Sequence, residues 1–210
     1  MIRVLIADDH PVVRKGLRQI LEDTQDIIAA DEASSAQEVL NKVSKRSYDV
    51  ILLDISMPGS SGLDVLKQLK RKKSKLPVLM LSIYPEDQYG MRALRAGASG
   101  YLTKESLPDE LVGAIRKVAQ GRKYISPALS EKLVLDLGIN SDKPAHETLS
   151  DREYQVMCMI ASGKTASGIA KKLCLSVKTI STYRSRILEK MRMKNNAEIT
   201  RYAIENRLTR

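Results

Sequence analysis

Short apolar segments alternate with amphipathic helical segments over the first 120 residues, and this alternation constrains the fold more than any other feature. Apolar runs predict five strands, at residues 4–7, 26–30, 50–53, 78–81 and 100–103. Helical spacing predicts a helix after each strand, at residues 12–23, 35–46, 62–73, 86–96 and 107–120. Five strand and helix units in a row predict an α/β fold, a doubly wound five-stranded parallel sheet with helices on both faces.

The rest of the chain has a different pattern. Residues 128–137 predict a connecting helix after Pro127, and the polar, turn-rich residues 138–148 predict a linker. Apolar spacing then predicts only helices, at residues 151–161, 166–173, 177–191 and 196–207. We therefore expect a first domain at 1–123, a linker with a short helix at 124–148, and a small all-helical domain at 149–210.

Composition narrows the environment of the chain. It is 43% hydrophobic and 29% charged, and its apolar runs fall short of the roughly 20 residues that span a bilayer. We expect a cytoplasmic protein with no membrane partner. The two cysteines, Cys158 and Cys174, lack the spacing of a metal site, and we expect both to be core thiols.

Acidic residues end two of the predicted strands. Asp8 and Asp9 follow the first strand, and Asp54 follows the third. Ligands of open parallel sheets collect at the carboxyl ends of the strands, so these carboxylates should converge. Converging carboxylates repel one another unless a cation or shifted pKa values relieve the repulsion, and oxygen ligands of this kind suit Mg²⁺.

Two further strand ends carry complementary groups. Ser82 ends the fourth strand and Lys104 follows the fifth. Singly, Asp54 fits an acid that caps a turn and Lys104 fits a solvated lysine. As an ordered set, a hydroxyl, an ammonium and a divalent cation around one carboxylate suit a bound phosphoryl group, so Asp54 is predicted to be a nucleophile that accepts one.

These positions give the first 122 residues a resemblance to the receiver domain of two-component response regulators. The matching segments are IADDHP at 6–11, LLDISMPGSSG at 52–62, LMLS at 79–82 and GASGYLTK at 97–104. The resemblance implies that Asp54 is phosphorylated. It also implies a Mg²⁺ site formed by Asp8, Asp9, Asp54 and the backbone carbonyl of Ser56.

The same resemblance assigns the residues that respond to phosphorylation. Lys104 would pair with the phosphoryl group, Ser82 would turn toward it, and Tyr101 would be the aromatic switch residue that swings inward. A plain surface tyrosine is the alternative for Tyr101. His10 matches the DDHP variant of the receiver loop, for which a structural role is expected.

A phosphatase of the haloacid dehalogenase type is the rival interpretation, because it also uses a strand-end aspartate with Mg²⁺. That chemistry needs a second acid two residues later as a general acid and base. The residue at that position is Ser56. An acyl phosphate on Asp54 should therefore persist, and the chain is predicted not to be an enzyme.

The all-helical part is strongly basic. Residues 164–194 hold nine basic residues and a single acid, Glu189. Within them, residues 166–192 predict a helix, a turn and a second helix after Ser176, which is the geometry of a helix-turn-helix. A solvated basic helix face is the alternative for the charge alone.

Residues 149–209 resemble the LuxR-type helix-turn-helix domain, through LSDREYQVMCMIASG, IAKKLCLSVKTISTYRSRILEKM and AEITRYAIENRL. The resemblance implies a recognition helix at 177–191 that binds double-stranded promoter DNA, and a dimer contact at 196–207. Residues expected nearest the bases are Ser181, Thr182 and Ser185. Residues expected toward the DNA backbone are Lys178, Thr179, Tyr183, Arg184 and Arg186.

The chain throughout resembles the NarL/FixJ class of response regulators, and within it the GacA/UvrY-like members. The resemblance implies a transcription regulator that receives a phosphoryl group from a sensor histidine kinase or a small phosphodonor and binds DNA as a homodimer. A DNA-binding regulator that acts independently of phosphorylation stays open as the alternative.

Overall fold

The structure, a computed structural model, describes residues 1–57, 60–138 and 144–209, and for residues 135–138 the backbone alone. Two compact units make up the chain, Met1–Leu135 and Asp136–Arg210, and each is described by itself. Residues 58–59 of the acidic-site motif, 139–143 of the predicted linker and 210 lie outside the described residues. The predicted boundaries at 123 and 149 stay predictions.

The first unit contains the predicted five-stranded parallel sheet. Its strands are β1 (Ile2–Ala7), β2 (Ile27–Ala33), β3 (Val50–Asp54), β4 (Val78–Ser82) and β5 (Gly100–Thr103). Their order across the sheet is β2-β1-β3-β4-β5, and every neighbouring pair is parallel. The chain reverses its direction of winding between β1 and β3, so the carboxyl ends of these two strands border the crevice where such folds bind ligands.

Helices cover both faces of this sheet. They are α1 (Pro11–Glu22), α2 (Ala36–Lys45), α3 (Gly62–Lys72), α4 (Glu86–Arg95) and α5 (Leu107–Ala119). Helix α6 (Pro127–Gly138) follows them in the chain. Because both faces are covered, β3 and β4 are buried at every residue and show no alternation of apolar with polar side chains. The burial of β3 includes its final residue, Asp54.

Strand β2 is longer than the sequence predicts. We expected it to end at residue 30, but it continues to Ala33 beside β1, after a register shift between Val4 and Leu5. The extra residues include Asp31 and Glu32, which an interior strand would have to bury. An edge strand tolerates them because Arg46 pairs with Asp31 and Arg14 pairs with Glu32.

The second unit is helical in all its described elements, as predicted. A short 3₁₀ turn, Ala145–Thr148, precedes α7 (Asp151–Ala161), α8 (Ala166–Leu173), α9 (Val177–Lys190) and α10 (Asn196–Glu205). Helix α7 begins at the predicted capping box, in which Ser150 and Glu153 each accept from the other's backbone N–H. Helix α9 contacts both α7 and α8.

The prediction of two core thiols is half wrong. Cys158 is buried in α7, but Cys174 is exposed. Cys174 ends α8 with a φ of 53°, in the left-handed region. The sequence spacing did not indicate that the helix ends in this conformation. Among the described residues, no helix is both long and apolar enough to cross a membrane.

Candidate phosphoryl-acceptor site and nucleic-acid interface

The structure brings together the carboxylates that end the first and third strands. Asp8 and Asp9 follow β1, and Asp54 ends β3. One oxygen from each of the three, together with one ring nitrogen of His10, lies within 4.8 Å of the others. Asp8 and Asp54 are almost completely buried, whereas the imidazole of His10 is exposed and its Nδ1 lies 2.8 Å from Asp9 Oδ1.

Lys104 provides the positive charge of this site. Its Nζ lies 2.5 Å from Asp8 Oδ2, and it forms an ion pair at 3.3 Å with Asp54 Oδ2. The backbone N–H of Lys104 donates to the carbonyl of Ser82, so the loop after β5 is fixed to the end of β4. Burial alone would lower the pKa of Lys104, but the charges of Asp54 and Asp8 outweigh it and raise that pKa. The ammonium is therefore stably protonated.

Asp54 is strained electrostatically. Burial raises its pKa to about 6, and the charge of Asp8 adds to the effect, while Lys104 and the backbone N–H of Ser56 oppose it. Near neutral pH this carboxylate is mostly ionised in a place that disfavours the charge. The folded chain therefore loses stability by keeping Asp54 ionised in this buried position.

The oxygen atoms of the site fit a hard divalent cation. Among the described residues, Asp9 Oδ1 and Asp54 Oδ2 are buried and accept no well-formed hydrogen bond. Buried carboxylate oxygens without well-formed hydrogen bonds are costly unless cations compensate their charge. Oxygen ligands are also those that Mg²⁺ prefers. The acidic cluster therefore offers oxygen donors of the kind that Mg²⁺ prefers.

The pH dependence of stability tests the burial of the Asp54 charge. Because its pKa is about 6 in the folded chain and 3.8 as a free side chain, the folded state loses stability as the pH rises from about 4 through 6. In EDTA, Asp54→Asn should raise the free energy of unfolding by about 2–3 kcal/mol at pH 7.5 and by only about 1 kcal/mol at pH 4.5.

Urea denaturation at both pH values measures this difference, with Asp23→Asn as the control because Asp23 is exposed at the end of α1. An Asp54→Asn protein that is no more stable than the parent at pH 7.5 would contradict the assignment of a buried, destabilised charge.

Ser82 and Tyr101 are both buried beside the loop that follows β4. The Ser82 Oγ accepts a hydrogen bond from the backbone N–H of Tyr84 at 2.9 Å, and the Tyr101 hydroxyl donates to the carbonyl of Tyr84 at 2.8 Å. Tyr101 is only 3% exposed, so in this structure it is not a surface tyrosine. One residue, Tyr84, therefore connects the hydroxyl at the end of β4 to the aromatic ring of β5.

Several residues of this site were not singled out by the sequence. Arg14 donates from Nη1 to the carbonyl of Asp8 at 2.8 Å and holds the end of β1 in place. Gly62, the last residue of the motif around Asp54, donates its N–H to the carbonyl of Ile55 at 2.9 Å. A Cβ on Gly62 would lie 2.0 Å from the carbonyl oxygen of Asp54, which is the physical reason for a glycine there. The direction of the Ser56 carbonyl stays a prediction.

The start of the predicted linker packs onto the edge of β5. Tyr124 forms a parallel bridge with Gly100, and its N–H donates to the carbonyl of Ser99 at 2.8 Å. A side chain at Gly100 would collide with the Tyr124 carbonyl, since its Cβ would lie only 2.4 Å from that oxygen. In the sequence, the glycine itself is the one indication of this contact.

Side chains extend this contact to α4 and α5. Ser126 Oγ donates to Glu86, and the Tyr124 hydroxyl donates to Glu110 at 2.6 Å. These residues and Tyr101 line a common cavity of about 320 Å³. Leu129 of α6 is buried. Burial raises the pKa of Glu86, a direction consistent with a carboxyl enclosed by the linker.

The second unit contains the predicted helix-turn-helix. Helix α8 ends at Leu173, and α9 begins after Ser176, whose side chain accepts from the N–H of Thr179 at 3.0 Å as an N-cap. Helical spacing predicts that Ile180, Tyr183, Ile187 and Met191 pack inward; Ile180, Ile187 and Met191 are buried, and Tyr183 is partly buried. Outside the core, Lys190 forms an ion pair at 2.7 Å with Glu153 of α7. These contacts fix the orientation of α9 within its unit.

The candidate DNA-contacting side chains fall into two groups. Exposed residues of α9 are Lys178, Ser181, Thr182, Ser185 and Arg186. Thr179, Tyr183 and Arg184 are partly buried. Arg184 Nε donates at 2.6 Å to Asn196 Oδ1, which ties α9 to the first residue of α10. Arg184 thus has a structural partner that the sequence did not predict.

Two family models match this chain. The response regulator receiver domain matches residues 4–116, and the family of bacterial regulatory proteins described as luxR matches residues 147–203. Response regulator UvrY of Escherichia coli K12 is 36% identical over 209 residues, which is 99% of this chain and 96% of that protein. Response regulator GacA of Pseudomonas protegens is 39% identical over 206 residues, 98% of this chain and 97% of that protein.

Solved structures of the RcsB response regulator of Salmonella are similar over nearly the whole chain. One has a TM-score of 0.63 and 27% identity, and covers 97% of this chain and 100% of its own. Another, bound to promoter rprA in the presence of the phosphomimetic BeF3-, has a TM-score of 0.65 and 29% identity, with 96% and 98% covered.

Proposed function

This chain belongs to the two-component response regulators that join a receiver domain to a LuxR-type regulatory domain, and from that membership we propose the role of each site residue. As a member of the family it is a phosphorylation-dependent transcription regulator and not an enzyme. The observation that supports the assignment best is the meeting of Asp8, Asp9, Asp54 and Lys104 at the carboxyl edge of the sheet.

Asp54 is the phosphoryl acceptor. One carboxylate oxygen attacks the phosphorus of a phosphohistidine on a sensor histidine kinase, or of a small acyl phosphate. The new P–O bond to Asp54 forms as the P–N or P–O bond of the donor breaks, and the donor leaves with that electron pair. The exclusion of water around buried Asp54 strengthens its interaction with each nearby cation.

Positive charge at the site lowers the repulsion between Asp54 and the incoming phosphoryl oxygens. Asp8, Asp9, Asp54 and the backbone carbonyl of Ser56 hold Mg²⁺, which supplies two positive charges when bound. The ammonium of Lys104, already between Asp8 and Asp54, donates to one phosphoryl oxygen.

The acyl phosphate on Asp54 persists as a signal. A phosphatase with a strand-end aspartate nucleophile uses a second acid two residues along, and this chain has Ser56 there. A hydroxyl at that position has no basic group to activate water. The nucleophile therefore retains its phosphoryl group until water or a partner removes it slowly.

Ser82 and Tyr101 carry the change away from Asp54. The Ser82 hydroxyl moves to donate to a phosphoryl oxygen, which alters its contact with the backbone of Tyr84. The carbonyl of the same residue accepts from the Tyr101 hydroxyl, so the position of the ring follows the loop. Phosphorylation favours the conformation in which these contacts and the phosphoryl group are compatible.

Residues 124–130 are the route from this switch toward the DNA-binding unit. Tyr124 and Ser126 line the same cavity as Tyr101 and Glu86, so a shift of the switch residues changes the packing of the linker. The domain limits that we propose are a receiver at 1–123, a linker at 124–148 and a DNA-binding domain at 149–210.

Glu86→Gln tests this route, because it keeps the shape of the side chain and removes the charged acceptor of Ser126. We expect the variant to accept a phosphoryl group at the parental rate. Phosphorylation increases DNA affinity by some factor in the parent, and in the variant this factor should be smaller by roughly threefold or more. Glu131→Gln, at an exposed position of α6, is the matched control. Equal gains in affinity for Glu86→Gln and the parent would contradict the route.

The chain binds double-stranded promoter DNA as a homodimer. Helix α9 enters the major groove, with Ser181, Thr182 and Ser185 toward the bases, and α10 provides the dimer contact. The cations of Lys178 and Arg186 neutralise DNA phosphates. The remaining backbone contacts are assigned to Thr179, Tyr183 and Arg184.

Phosphoryl acceptance is tested by incubating the purified chain with acetyl phosphate and Mg²⁺ and following its intact mass. The parent should gain the mass of one phosphoryl group, and neither Asp54→Asn nor the parent in EDTA should gain it. A parent chain whose mass does not change, or an Asp54→Asn chain that is modified equally, would overturn the assignment of Asp54.

A further inference from the structure

Hydrogen bonds within α9 restrict what its exposed hydroxyls can recognise. Thr182 Oγ1 donates to the carbonyl of Lys178 at 3.0 Å, and Ser185 Oγ donates to the carbonyl of Ser181 at 3.1 Å. A hydroxyl has one proton and two acceptor lone pairs. With the proton engaged by the helix, both side chains present acceptors to a ligand.

Apolar groups flank these acceptors. Val177, the first residue of α9, is 47% exposed although it is a large apolar residue. Thr182 adds a methyl group on the exposed face. Methyl groups on a recognition helix contact the C5-methyl group of thymine in the major groove. The stripe formed by Val177, Lys178, Ser181, Thr182 and Ser185 contains no Arg, Asn or Gln. Lys178 is therefore its one side chain that can read guanine with two hydrogen bonds, and none of its side chains reads adenine in that way.

An A·T pair is the base pair that matches both features. In the major groove adenine offers the N6 amino group as a donor, and its thymine offers the methyl group. A G·C pair offers the amino group of cytosine but no methyl group, and guanine itself offers only acceptors there. Guanine and the hydroxyl oxygens of Thr182 and Ser185 would therefore all be acceptors, and no hydrogen bond would form between them.

We propose that α9 selects A·T pairs, with Thr182 and Ser185 accepting hydrogen bonds from adenine amino groups and Val177 and Thr182 contacting thymine methyl groups. This inference rests on the proposed DNA-binding function and names its ligand as duplex DNA with A·T pairs at the contacted positions. Lys178 then acts on phosphates and contributes affinity without sequence preference.

The test begins with selection of binding sites from a randomised duplex pool by the full chain treated with acetyl phosphate and Mg²⁺. In a selected site, thymines are replaced singly by deoxyuridine, which lacks the methyl group, and adenines singly by deoxynebularine, which lacks the amino group. The parent should lose roughly three- to tenfold in affinity at specific thymines and roughly fivefold at specific adenines.

Matched variants separate the two contacts. Val177→Ala should lose the sensitivity to deoxyuridine at one position, and Thr182→Val should lose the sensitivity to deoxynebularine at another. Thr182→Ser should keep the latter, because it retains the hydroxyl. Glu189→Gln, exposed further along α9, should behave as the parent does. Unchanged thermal midpoints establish that the variants are folded.

Three results would overturn the inference. The first is G·C pairs at the contacted positions of the selected sites. The second is a preference for guanine that Lys178→Ala relaxes. The third is an equal effect of deoxyuridine on the parent and on Val177→Ala at every position. Failure of the proposed function is a separate result, since a chain that does not bind DNA enriches no sequence from the pool.

Discussion

Gly62→Ala is expected to destabilise the receiver unit by at least about 3 kcal/mol, because the new Cβ has no place to go. It would lie 2.0 Å from the carbonyl oxygen of Asp54 and 2.9 Å from the Cα of Ile55. Both contacts are with backbone, which cannot turn aside as a flexible side chain can. The chain around the phosphoryl acceptor would have to move.

Gly113→Ala is the matched control for this variant. Gly113 lies inside α5, is exposed, and has nothing within 4 Å of an added Cβ. Alanine there should stabilise the helix by about 0.5–1 kcal/mol. Urea denaturation should therefore move the two glycine variants in opposite directions. The rate of phosphoryl acceptance should fall in Gly62→Ala alone. Equal stability of Gly62→Ala and the parent would show that the close approach to Asp54 is wrong.

Lys104→Met is expected to have the second largest effect. Lys104 is the cation nearest to Asp8 and Asp54, and its removal leaves two buried carboxylates without that charge. Breaking a buried pair by removing one partner costs about 3 kcal/mol or more. Because burial has already raised the pKa of Asp54 to about 6, the loss should be largest at pH 7.5 and should shrink as the pH falls and Asp54 becomes protonated.

Two controls make this result specific to the site. Lys132→Met removes an exposed ion pair with Asp87, which should cost less than about 1 kcal/mol. Asp54→Asn combined with Lys104→Met should recover part of the stability, since one buried charge is gone. Denaturation in EDTA measures all four proteins. Similar losses for Lys104→Met and Lys132→Met would contradict a buried charge network around Asp54.

The fold could be predicted from the sequence because its signals are local and repeat. Each apolar run of the sheet stands between helical patterns, so the class and the parallel topology follow from the order of segments. The end of β2 could not be predicted, since Asp31 and Glu32 belong to the strand only because arginines from other segments pair with them.

The acidic site was predictable for the same reason. Asp8, Asp9, Asp54, Ser82 and Lys104 each stand at or just after the end of a strand, and the parallel topology brings strand ends together. The burial of Tyr101 was ambiguous, since no pattern in the sequence indicates the hydrogen bond from its hydroxyl to the backbone of Tyr84.

Contacts between polar groups far apart in the chain could not be predicted from the sequence. The bond from Ser126 to Glu86 joins residues 40 positions apart, and neither side chain belongs to an apolar pattern. The hydrogen bonds of Thr182 and Ser185 to their own helix also depend on side-chain rotamers, which spacing does not reveal. These are the contacts on which the linker route and the base preference rest.

The gating of DNA binding by Asp54 is tested most directly by four dissociation constants. The parent and Asp54→Asn are each titrated with a selected duplex, with and without acetyl phosphate and Mg²⁺, at one fixed salt concentration because phosphate contacts make the affinity depend on salt. We expect phosphorylation to tighten DNA binding by the parent roughly tenfold and to leave the affinity of Asp54→Asn unchanged. Equal affinities for the parent in both conditions would contradict it, and would favour a regulator that binds DNA independently of phosphorylation.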